Sequence, residues 1–161
     1  MKSLVKIWDK LPNVKLFENT PDNIINTEQL LVGKRVVIFG VPGAFTPGCS
    51  KTHLPGYVQD FEKYKNKGID IIACVSVNDP FVMQAWGEAH NVGDKIRMLA
   101  DTHGDLSREL GVVLDSEPFF GHKRMQRFSM VINDGTVELF NIEADGTGLT
   151  CSLSNGILNK I

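Results

Sequence analysis

Residues 36–49 read Val-Val-Ile-Phe-Gly-Val-Pro-Gly-Ala-Phe-Thr-Pro-Gly-Cys, and they hold a strand, a loop and a helix start in succession. The run 36–39 is continuously apolar and rich in β-branched residues, which is typical of a strand buried on both faces. Thr46 and Pro47 predict a helix start, with Thr46 as the N-cap and Pro47 in the first helical position. The sequence therefore places Cys49 in the first turn of a helix that follows a buried strand.

The helix that begins at Pro47 is predicted to continue to residue 67 and to end at Gly68, a residue type that favours helix termination. Pro55 lies inside this helix. Because proline lacks an N–H and its ring crowds the carbonyl of Lys51, we expect a kink there.

Strands and helices alternate along the rest of the chain, without repeats or a linker. The pattern predicts strands over 69–77, 96–100, 127–132 and 136–142, and helices over 80–90, 106–110 and 152–160. Asn78 or Asp79 would cap the helix after residue 80. Asn133-Asp134-Gly135 is a strong hairpin signal between the last two strands. This order predicts one domain over residues 1–161, with an α/β, thioredoxin-like fold in which helices flank a mixed central β-sheet.

Composition excludes several classes of protein. With 17 Lys and Arg against 19 Asp and Glu, there is no basic excess to indicate a nucleic-acid partner. The longest apolar runs are too short to span a bilayer, so we expect no membrane association. Three cysteines do not make a secreted disulfide framework. Without a secretory signal, the chain is expected to be intracellular. It has no C-terminal Ser-Lys-Leu, and the cytoplasm, a mitochondrion and a peroxisome are the compartments left open.

Cys49 is the residue whose position indicates chemistry. Only a thiolate attacks an electrophile, and a helix N-terminus favours the thiolate through its partial positive charge and unpaired N–H groups. Gly48 has no side chain to block an incoming oxygen, and the Thr46 hydroxyl lies three residues before the sulfur. Taken alone, a cysteine near a helix start is more often a small core residue. The surrounding pattern Pro-x-x-x-Thr-x-x-Cys favours the reactive interpretation.

That pattern, over residues 42–49, resembles the active-site motif of the peroxiredoxin family. The longer stretch 39–56 is similar to the peroxiredoxin-5 subfamily, and the resemblance spans essentially the whole chain. It continues through residues 76–79, 86–87, 99–101, 127–130 and 145–152.

The resemblance implies a role for each matching residue. Cys49 would be the peroxidatic cysteine, which attacks a hydroperoxide and becomes a sulfenic acid. Thr46 would bond the reacting oxygens, Pro42 would shield the site, and Arg127 would favour the thiolate and hold the peroxide. Residue patterns alone do not select Arg127 over the nearby Arg124 or Lys123. Phe120 and Thr147 would line the substrate pocket with Gly48.

The resemblance also implies a second cysteine in the cycle. Cys151 would be the resolving cysteine of an atypical two-cysteine enzyme and would form a disulfide with Cys49 within one chain. We expect the two cysteines to lie farther apart in the reduced form. Because a disulfide requires Cα atoms within about 7 Å, the first turn of the Cys49 helix would then have to unwind before the disulfide forms. Thioredoxin would then reduce the disulfide by exchange.

The predicted protein is therefore a thioredoxin-dependent peroxidase for hydrogen peroxide and organic hydroperoxides, with a part in antioxidant defence and redox homeostasis. The resemblance implies a monomer or weak homodimer that needs no cofactor and no metal.

Two further residues are interpreted as structural. Cys74 lies in a predicted buried strand and is expected to be a core thiol. His53 shares a helix face with Cys49, four residues away, but one Cys and one His are weak evidence for a metal site. We expect His53 to be structural or to line the rim of the site.

Two other functions compete with the peroxidase. One is a thiol–disulfide oxidoreductase on the same fold, but the expected Cys-x-x-Cys is replaced by Cys49-Ser50-Lys51-Thr52. The other is a redox sensor that oxidises and passes the signal to a partner. Insulin reduction or glutathione exchange without peroxide separates the oxidoreductase from a peroxidase. Reaction rate separates the sensor, because a peroxidase reacts with peroxide orders of magnitude faster than a free thiolate does.

Overall fold

The computed structural model describes residues 2–161. Its strands, in chain order, are β1 (Lys15–Glu18), β2 (Thr20–Asn26), β3 (Arg35–Val41), β4 (Ile71–Ser76), β5 (Arg97–Ala100), β6 (Val113–Leu114), β7 (Arg124–Met125), β8 (Phe128–Asn133) and β9 (Thr136–Ile142). Its helices are α1 (Thr27–Leu31), α2 (Leu54–Gln59), α3 (Phe61–Asn66), α4 (Pro80–Ala89), α5 (Asp105–Leu110), α6 (Glu117–Phe120) and α7 (Ser154–Leu158), and a π-helical turn, Cys49–His53, precedes α2.

A seven-stranded sheet forms the centre of the molecule, in the order β2-β1-β5-β4-β3-β8-β9. Strands β3, β4 and β5 are parallel, because helical crossovers connect them. Strand β8 pairs antiparallel with β3 and continues into the β8–β9 hairpin. The predicted mixed sheet flanked by helices is confirmed.

The β8–β9 turn has the predicted chemistry. Asp134 and Gly135 both have positive φ angles, 48° and 82°. A two-residue turn with this backbone matches the twist of the paired strands, and Asp-Gly favours it.

The N-terminal hairpin β1–β2 and helix α1 were not predicted. Strand β2 lies at the sheet edge, is mostly exposed and contains Pro21. Proline is tolerated at an edge, and an exposed strand lacks the apolar run that marks a buried one. The short β6–β7 pair and α6 gave no sequence signal either.

The long helix predicted after Thr46 is interrupted. It begins at Pro47 as expected, but Cys49–His53 forms a π-turn in which the Leu54 N–H bonds the carbonyl of Cys49. Pro55 comes directly after Leu54, in the first turn of α2, where an N–H is not required. The expected kink at Pro55 therefore takes the form of a π-turn. The chain leaves helical geometry again at Asp60, and α3 ends before Gly68, whose φ is 84°.

Apolar side chains cover both faces of the sheet. On one face Ile38, Val75 and Phe128 belong to a buried cluster. On the other face a second cluster contains Phe39, Cys74, Tyr57, Trp86 and Cys49 itself. The helix that carries Cys49 is therefore anchored in the second core. Among residues 2–161, no helix is both long enough and apolar enough to cross a bilayer.

Candidate active site

A side chain from the end of β4 contacts the loop between β3 and the Cys49 helix. The Asn78 side chain, at the carboxyl end of β4, accepts a hydrogen bond from the Ala44 N–H at 3.0 Å. Asp79, not Asn78, caps α4 by accepting from the Val82 N–H. Phe45, in this loop, has a φ of 64°, in the left-handed region that is unfavourable for a bulky residue.

Thr46 stands at the helix start but does not cap it with its side chain. Its carbonyl accepts from the Ser50 N–H, as an N-cap carbonyl does. Its hydroxyl instead turns back and donates to the Gly43 carbonyl at 2.7 Å. Thr46 therefore occupies the predicted N-cap position without a side-chain capping hydrogen bond, and its hydroxyl oxygen remains able to accept.

Arg127 is the cation that contacts Cys49. Its Nη1 donates to the Cys49 Sγ at 3.3 Å, and its Nε donates to the Thr147 carbonyl at 3.3 Å. Both Cys49 and Arg127 are buried. A positive charge in this low-dielectric position stabilises negative charge on the sulfur more strongly than it would in water.

Arg124, the alternative at the sequence level, has a different position. Its Nη1 donates to the Pro42 carbonyl at 3.2 Å, and its guanidinium lies over the Phe120 ring at 4.7 Å. Burial lowers the pKa of Arg124, with a smaller opposing effect from Cys49. Arg124 therefore supports the loop and pocket wall, whereas Arg127 contacts the sulfur.

A cavity of about 420 Å³ opens in front of Arg127. All six predicted site residues other than the cysteines line it: Pro42, Thr46, Gly48, Phe120, Arg127 and Thr147. Leu114 and Phe119 add apolar wall. Cys49 lies behind this lining, with no exposed surface. A pocket of this size accommodates substrates larger than hydrogen peroxide.

His53 is buried behind the site and does not line its rim, so the structural one of the two predicted interpretations holds. Its Nδ1 lies 3.1 Å from Arg127 Nη1, and its Nε2 lies 3.0 Å from the Ser152 carbonyl. A carbonyl can only accept, so Nε2 carries the proton and Nδ1 accepts from Arg127. Both ring nitrogens are occupied, which leaves neither for a metal.

The charge state of His53 makes stability depend on pH. Burial, followed by the charge of Arg127, lowers its pKa from 6.5 to about 3. Between these values the unfolded chain binds a proton at His53 and the folded protein does not, so the free energy of unfolding falls as pH falls. We expect a loss of about 2 kcal/mol between pH 6.5 and 4.5 from this group.

Urea unfolding of the reduced protein at these two pH values, in wild type and His53→Gln, measures this effect. Glutamine stays neutral, so the variant should lose the His53 contribution. The window stops at pH 4.5 because Glu143, with its own lowered pKa, contributes below that value. An unchanged pH dependence in His53→Gln would contradict the assignment.

Cys151 lies outside the cavity, in a turn after β9, and is half-buried. Its Sγ donates to the Ile142 carbonyl at 3.3 Å. Burial, and then the charge of Glu143, raises the pKa of this thiol. Cys49 and Cys151 are both free thiols, each with its own partner.

Cys74 lies in the buried strand β4, as predicted, where it pairs in register with Phe39. Burial, followed by the neighbouring Cys49, raises its pKa well above the ordinary value. An apolar thiol with a raised pKa is a poor nucleophile.

Among residues 2–161 there is no group of three or more His, Cys, Asp or Glu side chains placed to hold a metal ion.

Comparison with known proteins gives consistent matches over almost the whole chain. The Redoxin family profile matches residues 6–155. Peroxiredoxin-2B of Arabidopsis thaliana is 40% identical over 160 residues, and the alignment covers 98% of each chain.

Solved structures agree with this result. Reduced Prx3 of Vibrio vulnificus, in complex with H2O2, is 42% identical, has a TM-score of 0.90 and is matched over 97% of this chain and 98% of that one. Peroxiredoxin 5 of Alvinella pompejana is 41% identical, with a TM-score of 0.83 and coverage of 91% and 95%. These similarities confirm the thioredoxin-like fold. Because the profile matches most of the chain and a peroxiredoxin is 40% identical over nearly its full length, the chain belongs to the peroxiredoxin family of thiol-dependent peroxidases.

Proposed function

We propose that Cys49 is the peroxidatic cysteine. Its thiolate attacks the terminal oxygen of a hydroperoxide, so that an S–O bond forms, the O–O bond breaks and the leaving oxygen takes a proton to give water or an alcohol. The sulfur is oxidised to a sulfenic acid and the peroxide is reduced. The observation that carries this proposal is the 3.3 Å contact between Arg127 Nη1 and Cys49 Sγ at the inner end of the cavity.

Thr46 and Arg127 are proposed to bind the reacting oxygens. The Thr46 proton is engaged by the Gly43 carbonyl, so its oxygen can accept the peroxide O–H. Arg127 supplies donors and charge where the leaving oxygen becomes negative. Gly48 keeps this approach open, because a Cβ there would lie 3.1 Å from Arg127 Nη2.

The outer part of the cavity is proposed to select the substrate. Leu114, Phe119 and Phe120 offer apolar surface to the organic part of a hydroperoxide. Pro42, which also lines the cavity, is proposed to reduce access of water. Thr147 places its carbonyl on Arg127 and so helps to orient the guanidinium.

Cys151 is proposed to resolve the sulfenic acid. Its thiolate attacks the Cys49 sulfur, the S–S bond forms, the S–O bond breaks and the hydroxyl group leaves as water after taking a proton. In the reduced form each thiol has a separate partner, so both sulfurs are proposed to leave these contacts, with rearrangement of the two turns, before they join. Thioredoxin is proposed to return the disulfide to two thiols by exchange.

Cys151→Ser should separate these two half-reactions. We expect the first turnover with peroxide to be retained, and steady-state turnover coupled to thioredoxin, thioredoxin reductase and NADPH to fall by about tenfold or more, because the sulfenic acid is not converted to the disulfide that thioredoxin reduces. Cys74→Ala is the matched control and should turn over normally. Undiminished turnover in Cys151→Ser would refute the resolving role.

A further inference from the structure

Glu143, the residue after β9, binds the chain on both sides of Cys151. Its carboxylate accepts from the Thr150 N–H at 3.0 Å and hydroxyl at 2.5 Å, and from the Ser152 N–H at 2.8 Å and hydroxyl at 2.5 Å. The side chain is only 3% exposed. Within residues 2–161 it has no ion-pair partner, so four hydrogen-bond donors compensate its charge.

The carbonyls of the same segment are also held. The Ser152 carbonyl accepts from His53 Nε2 at 3.0 Å, from the Tyr57 hydroxyl at 2.8 Å and from the Ser129 hydroxyl. The Cys151 carbonyl accepts from Asn141 Nδ2 at 2.9 Å. Residues 150–152, here called the resolving segment, are therefore restrained by both their donors and their acceptors.

We propose that Glu143 is a positioning residue that holds the resolving segment in its reduced conformation, and that release of this segment from Glu143 limits the rate at which Cys151 reaches the Cys49 sulfenic acid. The inference rests on the proposed resolving role of Cys151. Glu143 does not line the peroxide cavity, so its effect falls on the second chemical step.

The charge of Glu143 supports the same conclusion. Burial first, and then this charge, raises the pKa of Cys151, whereas a hydrogen bond with Thr150 and the charge of Lys160 lower it. While the segment is held, the charge of Glu143 therefore disfavours the Cys151 thiolate. Movement away from Glu143 both frees the segment and favours the attacking thiolate.

Glu143→Gln tests the proposal with little change of shape. An amide has one accepting oxygen and an NH₂ group that cannot accept, so it cannot satisfy all four donors. Losing charge-assisted hydrogen bonds should raise the rate constant of disulfide formation by about tenfold, with a much smaller change in the peroxide step. Stopped-flow fluorescence can follow both steps, since Trp86 bonds Ser50 beside Cys49. A resolution rate that is unchanged or lower would overturn the proposal.

Glu138→Gln is the matched control, because Glu138 lies in β9 but pairs with Arg35. It should leave both rate constants unchanged. Glu143→Asp keeps the carboxylate and should lie between wild type and Glu143→Gln. If Glu143→Gln does not fold, Thr150→Val removes one hydroxyl donor from the same carboxylate and should accelerate resolution by a smaller factor.

A second readout does not depend on peroxidase activity. In a Cys49→Ser, Cys74→Ala background, Cys151 is the remaining thiol, and its alkylation by iodoacetamide at pH 8 reports its release. Adding Glu143→Gln should raise the alkylation rate by about tenfold, and an unchanged rate would refute the restraint. If the restraint is observed but wild type forms no Cys49–Cys151 disulfide, the resolving role fails independently.

Discussion

Cys49→Ser is expected to lower the second-order rate constant for hydrogen peroxide by about 10⁴-fold or more, since removal of a catalytic nucleophile has effects of this size or larger. A serine hydroxyl is not ionised near neutral pH, and its oxygen is a far weaker nucleophile than a thiolate. The substitution preserves the fold, because the serine oxygen can still accept from Arg127 in the position of the sulfur. Stopped-flow mixing with hydrogen peroxide and with cumene hydroperoxide measures the loss.

Cys74→Ala provides the matched control for this experiment. Cys74 lies in the same buried cluster as Cys49, but the thiol that accepts from Arg127 is that of Cys49. It should therefore react as fast as wild type. If Cys49→Ser retained a fast reaction, or if Cys74→Ala lost it, the assignment of the nucleophile would be wrong.

Arg127→Met is expected to lower the same rate constant by about 10²–10³-fold, the range found when one donor to a developing oxyanion is removed. Methionine is similar in length and fills the buried space, but it supplies neither charge nor donor. The loss is large because the guanidinium contacts the sulfur in a position shielded from water, where electrostatic interactions are strong.

Two other arginine variants sharpen this prediction. Arg127→Lys keeps the charge but cannot reproduce the separate contacts with Cys49, His53 and Thr147, so its rate should lie between those of wild type and Arg127→Met. Arg124→Met removes a cation that touches the Pro42 carbonyl but not the sulfur, and its loss should be smaller. Equal losses in Arg124→Met and Arg127→Met would contradict the distinct role of Arg127.

The parts of the fold that could be predicted are those with local signals. The run 36–39 specifies a buried strand, Pro47 specifies a helix start and Asp134-Gly135 specifies a tight hairpin, because each depends on neighbouring residues alone. The edge strand β2 has no comparable pattern, since its side chains are mostly exposed. The π-turn at Cys49–His53 was signalled only as a kink at Pro55.

Only part of the site could be predicted from local sequence signals. The Cys49 position follows from helix-start chemistry, whereas the choice of Arg127 required the resemblance to peroxiredoxins. The contact of His53 with Arg127 and Ser152, and that of Glu143 with Thr150 and Ser152, were not predicted. The partners of His53, Arg127 and Ser152, are far from it in the sequence. Glu143, a single acidic residue after a strand, has the sequence pattern of a surface charge. Only the folded chain shows that each is buried among specific partners.

The proposed catalytic cycle requires a disulfide between Cys49 and Cys151. Treating the reduced protein with one molar equivalent of hydrogen peroxide, alkylating the remaining thiols and mapping the peptides by mass spectrometry tests this directly. We predict a Cys49–Cys151 disulfide with Cys74 alkylated as a free thiol after unfolding. A Cys49–Cys74 disulfide, or a protein that retains three free thiols, would contradict the account.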